Sequence, residues 1–538
     1  MVYWLQDAAR WIWRWFKRLG ALTLLGFLLF AVYLFWRLQI DRPETFADPV
    51  AQFKYGSTGG DKNFGIPYSM WQAMPVLFKD LLPKGREDEG WAALGFLYED
   101  KQAWPPEMHW PRPVGTSLRN YWGIERIFLN CAGCHAGSVR TAEGGKRIIY
   151  AGMPANTLDL SAFQTFLKRA AMSERFTPER FLAQIDAMNL ELGFINRLAL
   201  RYYGVALART QILLLAERFS FLDHEPAFGP GRFDTFNPAK ALLNWNFEKL
   251  PETELIGVVD FPAVWLQEKK AGMQLHWDGN NTSVRERNRS AAFGTGATPA
   301  TLDRSSIGRM EDWLAKAEPP KFADVFPNQL DRQLAQRGAQ VFADHCARCH
   351  GKDGRNFAGT DAGTVVPIED IGTDRSRFDN YTYELSLNQN VLYPGGNERF
   401  QNFRKTEGYA SMPLDGIWLR APYLHNGSVP TLHDLLQLPS ERPRAFLRGH
   451  DVYDPVNVGF ESRPEKIPAA TRNRLFCFVT HASGTCGGRR AQDPDQDKSY
   501  KCTGEDGECK GNGNGGHLYG TALTVEEKRA LIEHLKTF

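Results

Sequence analysis

The sequence predicts a mainly α-helical protein of two globular units with long loops, preceded by one transmembrane helix. Three observations carry that prediction. A chain of 538 residues exceeds what one hydrophobic core usually holds. Apolar residues recur at helical spacing over several long stretches, and no strand-rich alternation emerges. The pattern Cys-x-x-Cys-His occurs twice, at Cys131–His135 and Cys346–His350, 215 positions apart, one for each unit.

The N-terminal element is justified first. An uncharged apolar run from Leu19 to Trp36 follows Arg10, Arg14, Lys17 and Arg18, and Arg37 and Asp41 close it. Eighteen residues rise about 27 Å as a helix, close to the hydrocarbon thickness of a bilayer. No small-x-small cleavage site follows, which favours an uncleaved anchor over a cleaved signal peptide with a long basic region. The basic residues ahead of the span put the N-terminus in the cytoplasm. The remainder then lies in the periplasm, held single-pass on the inner membrane of a Gram-negative-type bacterium. Trp4, Trp11, Trp13 and Trp15 suit the interfacial layer.

Beyond the anchor, helical periodicity covers 160–172, 177–199, 206–219 and 525–537, with Thr524 and Glu527 spaced as a capping box. The paired prolines in 317–321 read as the linker. The expected organisation is residues 1–40 as cytoplasmic tail and anchor, 41–320 as the first unit and 321–538 as the second. With 64 basic against 62 acidic residues, nothing suggests a nucleic-acid partner or a disordered chain.

The cysteines sort into two classes. Cys477, Cys486, Cys502 and Cys509 crowd one stretch and, outside the cytoplasm, form two disulfides in one of three connectivities. The other four belong to the repeated motif. Cys131 and Cys134, like Cys346 and Cys349, sit three positions apart, so both sulfurs reach one edge of a porphyrin. The next residue, His135 or His350, is then directed under the ring to bind iron. A zinc site would need a second paired cluster near each motif, and neither has one. A thioredoxin-like pair expects a preceding strand, whereas the residues before Cys346 have a helical pattern. Two covalently bound haem c groups are therefore expected, one per unit, with His135 and His350 as iron ligands.

The sixth ligand decides whether such an iron only relays electrons or also binds a small molecule. For the second haem, His517 stands in a glycine-rich loop, 510–520, where the backbone can approach a porphyrin closely. His425, His433, His534 and Met412 compete with it, and a solvated loop histidine is the plainer reading. For the first haem, His276 is a candidate sixth ligand or distal acid–base group, with Trp277 and Phe293 walling a dry pocket. The alternative there is a structural turn with a core tryptophan.

The stretch Gly416-Ile-Trp-Leu-Arg-Ala-Pro-Tyr423-Leu-His425-Asn-Gly427-Ser-Val-Pro-Thr-Leu432, with both haem motifs, resembles the bacterial di-haem cytochrome c peroxidase superfamily. The rubber oxygenase-like branch is the nearest. Similar elements are Ile66-Pro-Tyr-x-x-Trp71, Asn130 through His135 with Gly137 and Arg140, Trp277-Asp-Gly279, and the loop around His517 and Gly520. The resemblance spans about residues 60–538. It implies a reaction centre at the first haem, with Trp277 and Phe293 lining an open distal side, and a six-coordinate relay at the second. It also implies a bridging calcium. The superfamily's peroxidases bind the second iron through a methionine that Leu432–Leu438 does not supply, which again favours His517.

The expected function is a membrane-anchored, periplasmic, haem-dependent oxidoreductase of the peroxidase or oxygenase type. Peroxide or dioxygen would meet the first haem, and a small redox protein or quinol-linked donor would supply electrons. The alternative is a non-catalytic di-haem electron-transfer subunit of a membrane respiratory chain.

Overall fold

A computed structural model describes residues 2–223, 225, 227–393, 398–487, 502 and 507–538. The first element is a helix, Val2–Leu38, whose stretch Gln6–Leu38 is long and apolar enough to cross a membrane or to serve as a signal segment. It ends where Arg37 turns back on the folded body. The guanidinium donates from Nε to the Trp122 carbonyl (2.9 Å) and from Nη2 to the Gly123 carbonyl (3.1 Å) and the Asn196 side chain.

The body is mostly helical, yet it contains a sheet that the sequence pattern did not reveal. Asp41–Pro43, Thr116–Tyr121, Ile124–Leu129 and Ile66–Pro67 form one antiparallel sheet, in that order across it. Strands of two to six residues are too short to display alternation convincingly. Trp122 and Gly123, both at positive φ, close the central hairpin as a primed turn. The strand Ile124–Leu129 then delivers the chain to the first motif.

Helices fill the rest of the first half. Leu160–Met172 matches its expected range. The helix expected over 177–199 is instead broken. Pro178–Ala187 stops where Asn189 takes a left-handed backbone (φ 52°), and Leu190 N–H bonds back to the Ile185 carbonyl (3.1 Å). That is a Schellman stop with asparagine in glycine's usual place. The chain resumes helically at Phe194–Ala199, passes through a wide turn at Leu200–Gly204 and continues as Val205–Arg218. An aromatic core forms around Trp71 stacked on Trp91 (4.1 Å), with Phe96, Phe163 and Phe166 at their edges.

In the second half, the helix Arg332–His345 crosses the last helix, Val525–Leu535, and Thr524 with Glu527 makes the expected capping box. The crossing is close because Gly338 faces the Ala530 carbonyl. The core beneath holds Phe322, Phe342, Trp418 and Tyr453, and also Val139, Met153 and Trp265 from the first half. Residues 317–321 run between the helix Arg304–Lys316 and the short helix Phe322–Val325. The four remaining cysteines pair as Cys477–Cys486 and Cys502–Cys509, one of the three connectivities left open by sequence.

Candidate haem centres

Each motif occupies a one-turn helix held by side chains around it. Cys131–His135 is capped by Asn130, whose Oδ1 accepts from Ala132 N–H (3.0 Å). The Asn130 Nδ2 donates to the Gly56 carbonyl (2.8 Å). Cys346 caps the turn Ala347–His350, which leaves the helix Arg332–His345 directly. All four motif sulfurs are unpaired. Burial pushes the thiols of Cys131, Cys134 and Cys346 up to about 12. A site that disfavours thiolates suits neutral thioethers better than thiolate metal ligation or disulfide exchange.

The two histidines are oriented alike. His135 donates from Nδ1 to the Pro262 carbonyl (2.9 Å), and His350 does so to the Met412 carbonyl (2.8 Å). Each bond fixes the tautomer, leaving Nε2 as the free lone pair that iron requires. Desolvation, with a smaller push from Arg287, lowers His135 to about 4. Desolvation lowers His350 as well. Both rings are therefore neutral at ordinary pH.

The ring of His517 stands opposite that of His350, with centroids 6.3 Å apart. An imidazole–metal bond of about 2 Å puts each ring centroid about 3 Å from the ion, so this spacing suits two imidazoles on opposite sides of one iron. Desolvation and the neighbouring His350 hold His517 down at about 3.

The glycine-rich loop is not loose. Asn426, within the signature stretch, donates to the Gly513 carbonyl (2.9 Å), and Arg442 donates to the carbonyls of Asn514 (2.5 Å) and Gly516 (2.9 Å). Asp374 accepts from the N–H groups of Gly511 and Gly513, both at 3.1 Å. Nothing in the sequence marked Arg442 or Asp374 for this work, because their partners are backbone atoms far along the chain. The competitors make other contacts. The Met412 carbonyl accepts from His350 Nδ1, His534 packs between Phe342 and Phe538, and His425 stacks on Tyr409 (4.1 Å). His433 is exposed beside Asp434.

His276, Trp277 and Phe293 each make contacts of their own. His276 donates from Nδ1 to Asn280 Oδ1 (2.5 Å), and burial lowers it to about 4 despite Asp278. A series of rings links it to Phe293: His276 on Phe403 (6.3 Å), Phe403 on Phe400 (5.2 Å), Phe400 on Phe293 (5.7 Å). Trp277 is held at both of its polar ends. Its Nε1 donates to the Asp260 carbonyl (2.8 Å), and its own carbonyl accepts from Ala410 N–H (2.8 Å). Asp260 is two residues from Pro262, and Ala410 two from Met412. A continuous route of covalent and hydrogen bonds thus runs from His135 through Trp277 to His350.

Sequence reasoning also passed over Arg287. It is only 9% exposed, its Nη2 has no hydrogen-bond partner among the described residues, and burial lowers it to about 10. Its charge acts on both His135 and His276, which places a buried cation near the first motif. Among the described residues, no cluster of three or more His, Cys, Asp or Glu side chains is arranged to hold a free metal ion.

Residues 335–414 match the family model for cytochrome c, and residues 408–447 match one described as RoxA-like, cytochrome c-like. Two relatives from Sinorhizobium fredii are similar. "Uncharacterized protein y4iM" is 32% identical over 251 residues, 42% of this chain and 54% of its own. "Uncharacterized protein y4iJ" is 26% identical across 83% of this chain and 81% of its own. The chain thus spans about half the length of y4iM. The cytochrome c match contains Cys346, Cys349 and His350. Covalently bound haem c of the cytochrome c type is therefore a property of this protein.

Proposed function

We propose that the protein is a membrane-anchored, periplasmic di-haem oxidoreductase of the peroxidase or oxygenase type. In this reading Cys131, Cys134 and His135 hold the haem that meets peroxide or dioxygen, and Cys346, Cys349 and His350 hold an electron relay closed by His517. The observation that carries it is the bonded route through Trp277, which links two differently furnished motifs. Bound haem supplies reversible one-electron chemistry and a place for a small ligand on iron.

The protein's own groups do the rest. The Pro262 and Met412 carbonyls orient the two proximal rings. His276, neutral and hydrogen-bonded by Asn280, is suited to accept a proton at Nε2. The buried Arg287 cation favours negative charge in its surroundings, and Phe293, Phe400 and Phe403 keep bulk water from that side. Electrons would come from a small redox protein or a quinol-linked donor at the membrane.

The test is electron paramagnetic resonance of the oxidised and half-reduced protein, with carbon monoxide binding. The expected result is one low-spin haem and one high-spin haem that binds carbon monoxide. His517→Gly should convert the low-spin signal to high spin. Two low-spin haems that stay closed in every redox state would leave the electron-transfer subunit as the function. An unchanged low-spin signal in His517→Gly would remove that residue from the iron.

A further inference from the structure

The helix beginning at Phe194 exposes an apolar face that has no partner among the described residues. Phe194, Tyr202 and Tyr203 are 72%, 77% and 56% exposed, and Leu198 lies between them. Phe194, Leu198 and Tyr202 follow one another four residues apart, so they share one side of the helix. Arg201 stands exposed among them, while the neighbouring Arg197 is paired with Asp186.

What lies beside this face is fixed by Arg37. It is the first charge after the apolar run, so the outer edge of the hydrocarbon layer passes close to it. Its guanidinium is bonded to the turn Trp122–Gly123 and to Asn196, inside the helix that carries the exposed face. That helix and that turn therefore stand at the depth of the headgroups. The turn is also built for such a place. Tyr121 stacks on Trp122 (4.6 Å), and Arg126 lies over both rings, at 5.1 and 6.0 Å. Tyr and Trp with interspersed Arg are the residues that settle at membrane interfaces, where ring bodies meet acyl chains and polar tips meet water.

We infer that Phe194, Leu198, Tyr202 and Tyr203 dock into the headgroup layer of the same bilayer that holds the anchor, with Arg201 toward lipid phosphates. The body is then fastened at two places, the anchor helix and this face, which fixes its orientation to membrane-bound redox partners. A single helix joined by one chain would leave that orientation free. The inference rests on the anchor helix spanning the membrane.

The test uses the full-length, haem-loaded protein in vesicles of phosphatidylethanolamine and phosphatidylglycerol. Leu28→Cys, Tyr202→Cys and Val456→Cys each carry a bimane label, and quenching is read as the ratio with and without doxyl-labelled lipid, so haem quenching cancels. Quenching is expected at 28 and 202, with that at 202 roughly three-fold or more above that at 456. Quenching at 28 with position 202 no different from 456 would overturn the docking and leave the anchor standing. No quenching at 28 would remove the anchor and the docking with it. Lipid-insensitive label at 202 that becomes shielded as protein density rises would assign the face to a second copy of the chain, and also overturn the inference.

Discussion

Trp277 joins the bonded route from His135 to His350 at both of its polar ends. Its indole N–H holds the Asp260 carbonyl and its carbonyl holds Ala410 N–H. Trp277→Phe keeps a ring in place and removes one link. Electron equilibration between the haems after partial reduction should slow by about ten-fold, while both haem spectra stay as they were. The lost hydrogen bond should lower stability by only about 1 kcal/mol. An unchanged rate would mean that the route does not pass through this residue. His276 (φ 66°) and His517 (φ 47°) share another feature: both take left-handed backbone. Histidine adopts that region at some cost, and such positions gather where a side chain must point somewhere particular. From sequence, His517 could be singled out by its glycines. The Pro262 and Met412 carbonyls could not be, since they lie 127 and 62 residues from the rings they orient and carry no side-chain signal.

At the scale of elements, the crossing of Arg332–His345 with Val525–Leu535 positions the second motif. A Cβ added at Gly338 would come within 1.9 Å of the Ala530 carbonyl oxygen, and backbone cannot swing aside as a side chain can. Gly338→Val should cost about 3 kcal/mol, the upper end for overpacking. It should lower the urea midpoint followed at the Soret band, with Gly338→Ala falling between the two. Long periodic helices were legible in sequence because their apolar spacing is a local property, and the capping box at Thr524 was legible for the same reason. The four-stranded sheet was not. Its strands are short, and three-residue Asp41–Pro43 has no pattern until it pairs with Arg119–Tyr121. The break at Asn189 was hidden too, because asparagine stops a helix only where the following residue can bond back, as Leu190 does to Ile185.

Across the whole molecule, the halves on either side of residue 320 are joined by buried charge pairs. Asp260 meets Arg448 (2.5 Å), Asp278 meets Arg377 (2.7 Å) and Asp451 meets Arg140 (2.6 Å). His425 lies in this seam. Its carbonyl accepts from Asp260 N–H, its ring stacks on Tyr409, and burial with the nearby Arg377 and Arg232 pushes it well below its ordinary 6.5. Below about pH 6.5 the unfolded imidazole therefore binds a proton that the folded one refuses. Its contribution to stability is intact above that pH and falls as the solution is acidified, by up to about 1.4 kcal/mol per unit. His425→Phe keeps the stack and removes the titration. Between pH 7 and pH 5 the wild type should lose more unfolding free energy than the variant, and equal losses would show that His425 is not the group responsible.

The sequence by itself determined the apolar N-terminal helix, both Cys-x-x-Cys-His turns with their histidines, and the set of cysteines left to pair. Each is written in residues a few positions apart, where covalent spacing and helical period set the chemistry. Only the tertiary structure decided that Cys477 pairs with Cys486, that His517 faces His350, and that Trp277 bridges Asp260 to Ala410. Those outcomes depend on which distant segments pack together, and packing is settled by the whole buried surface at once, with no local pattern to announce it.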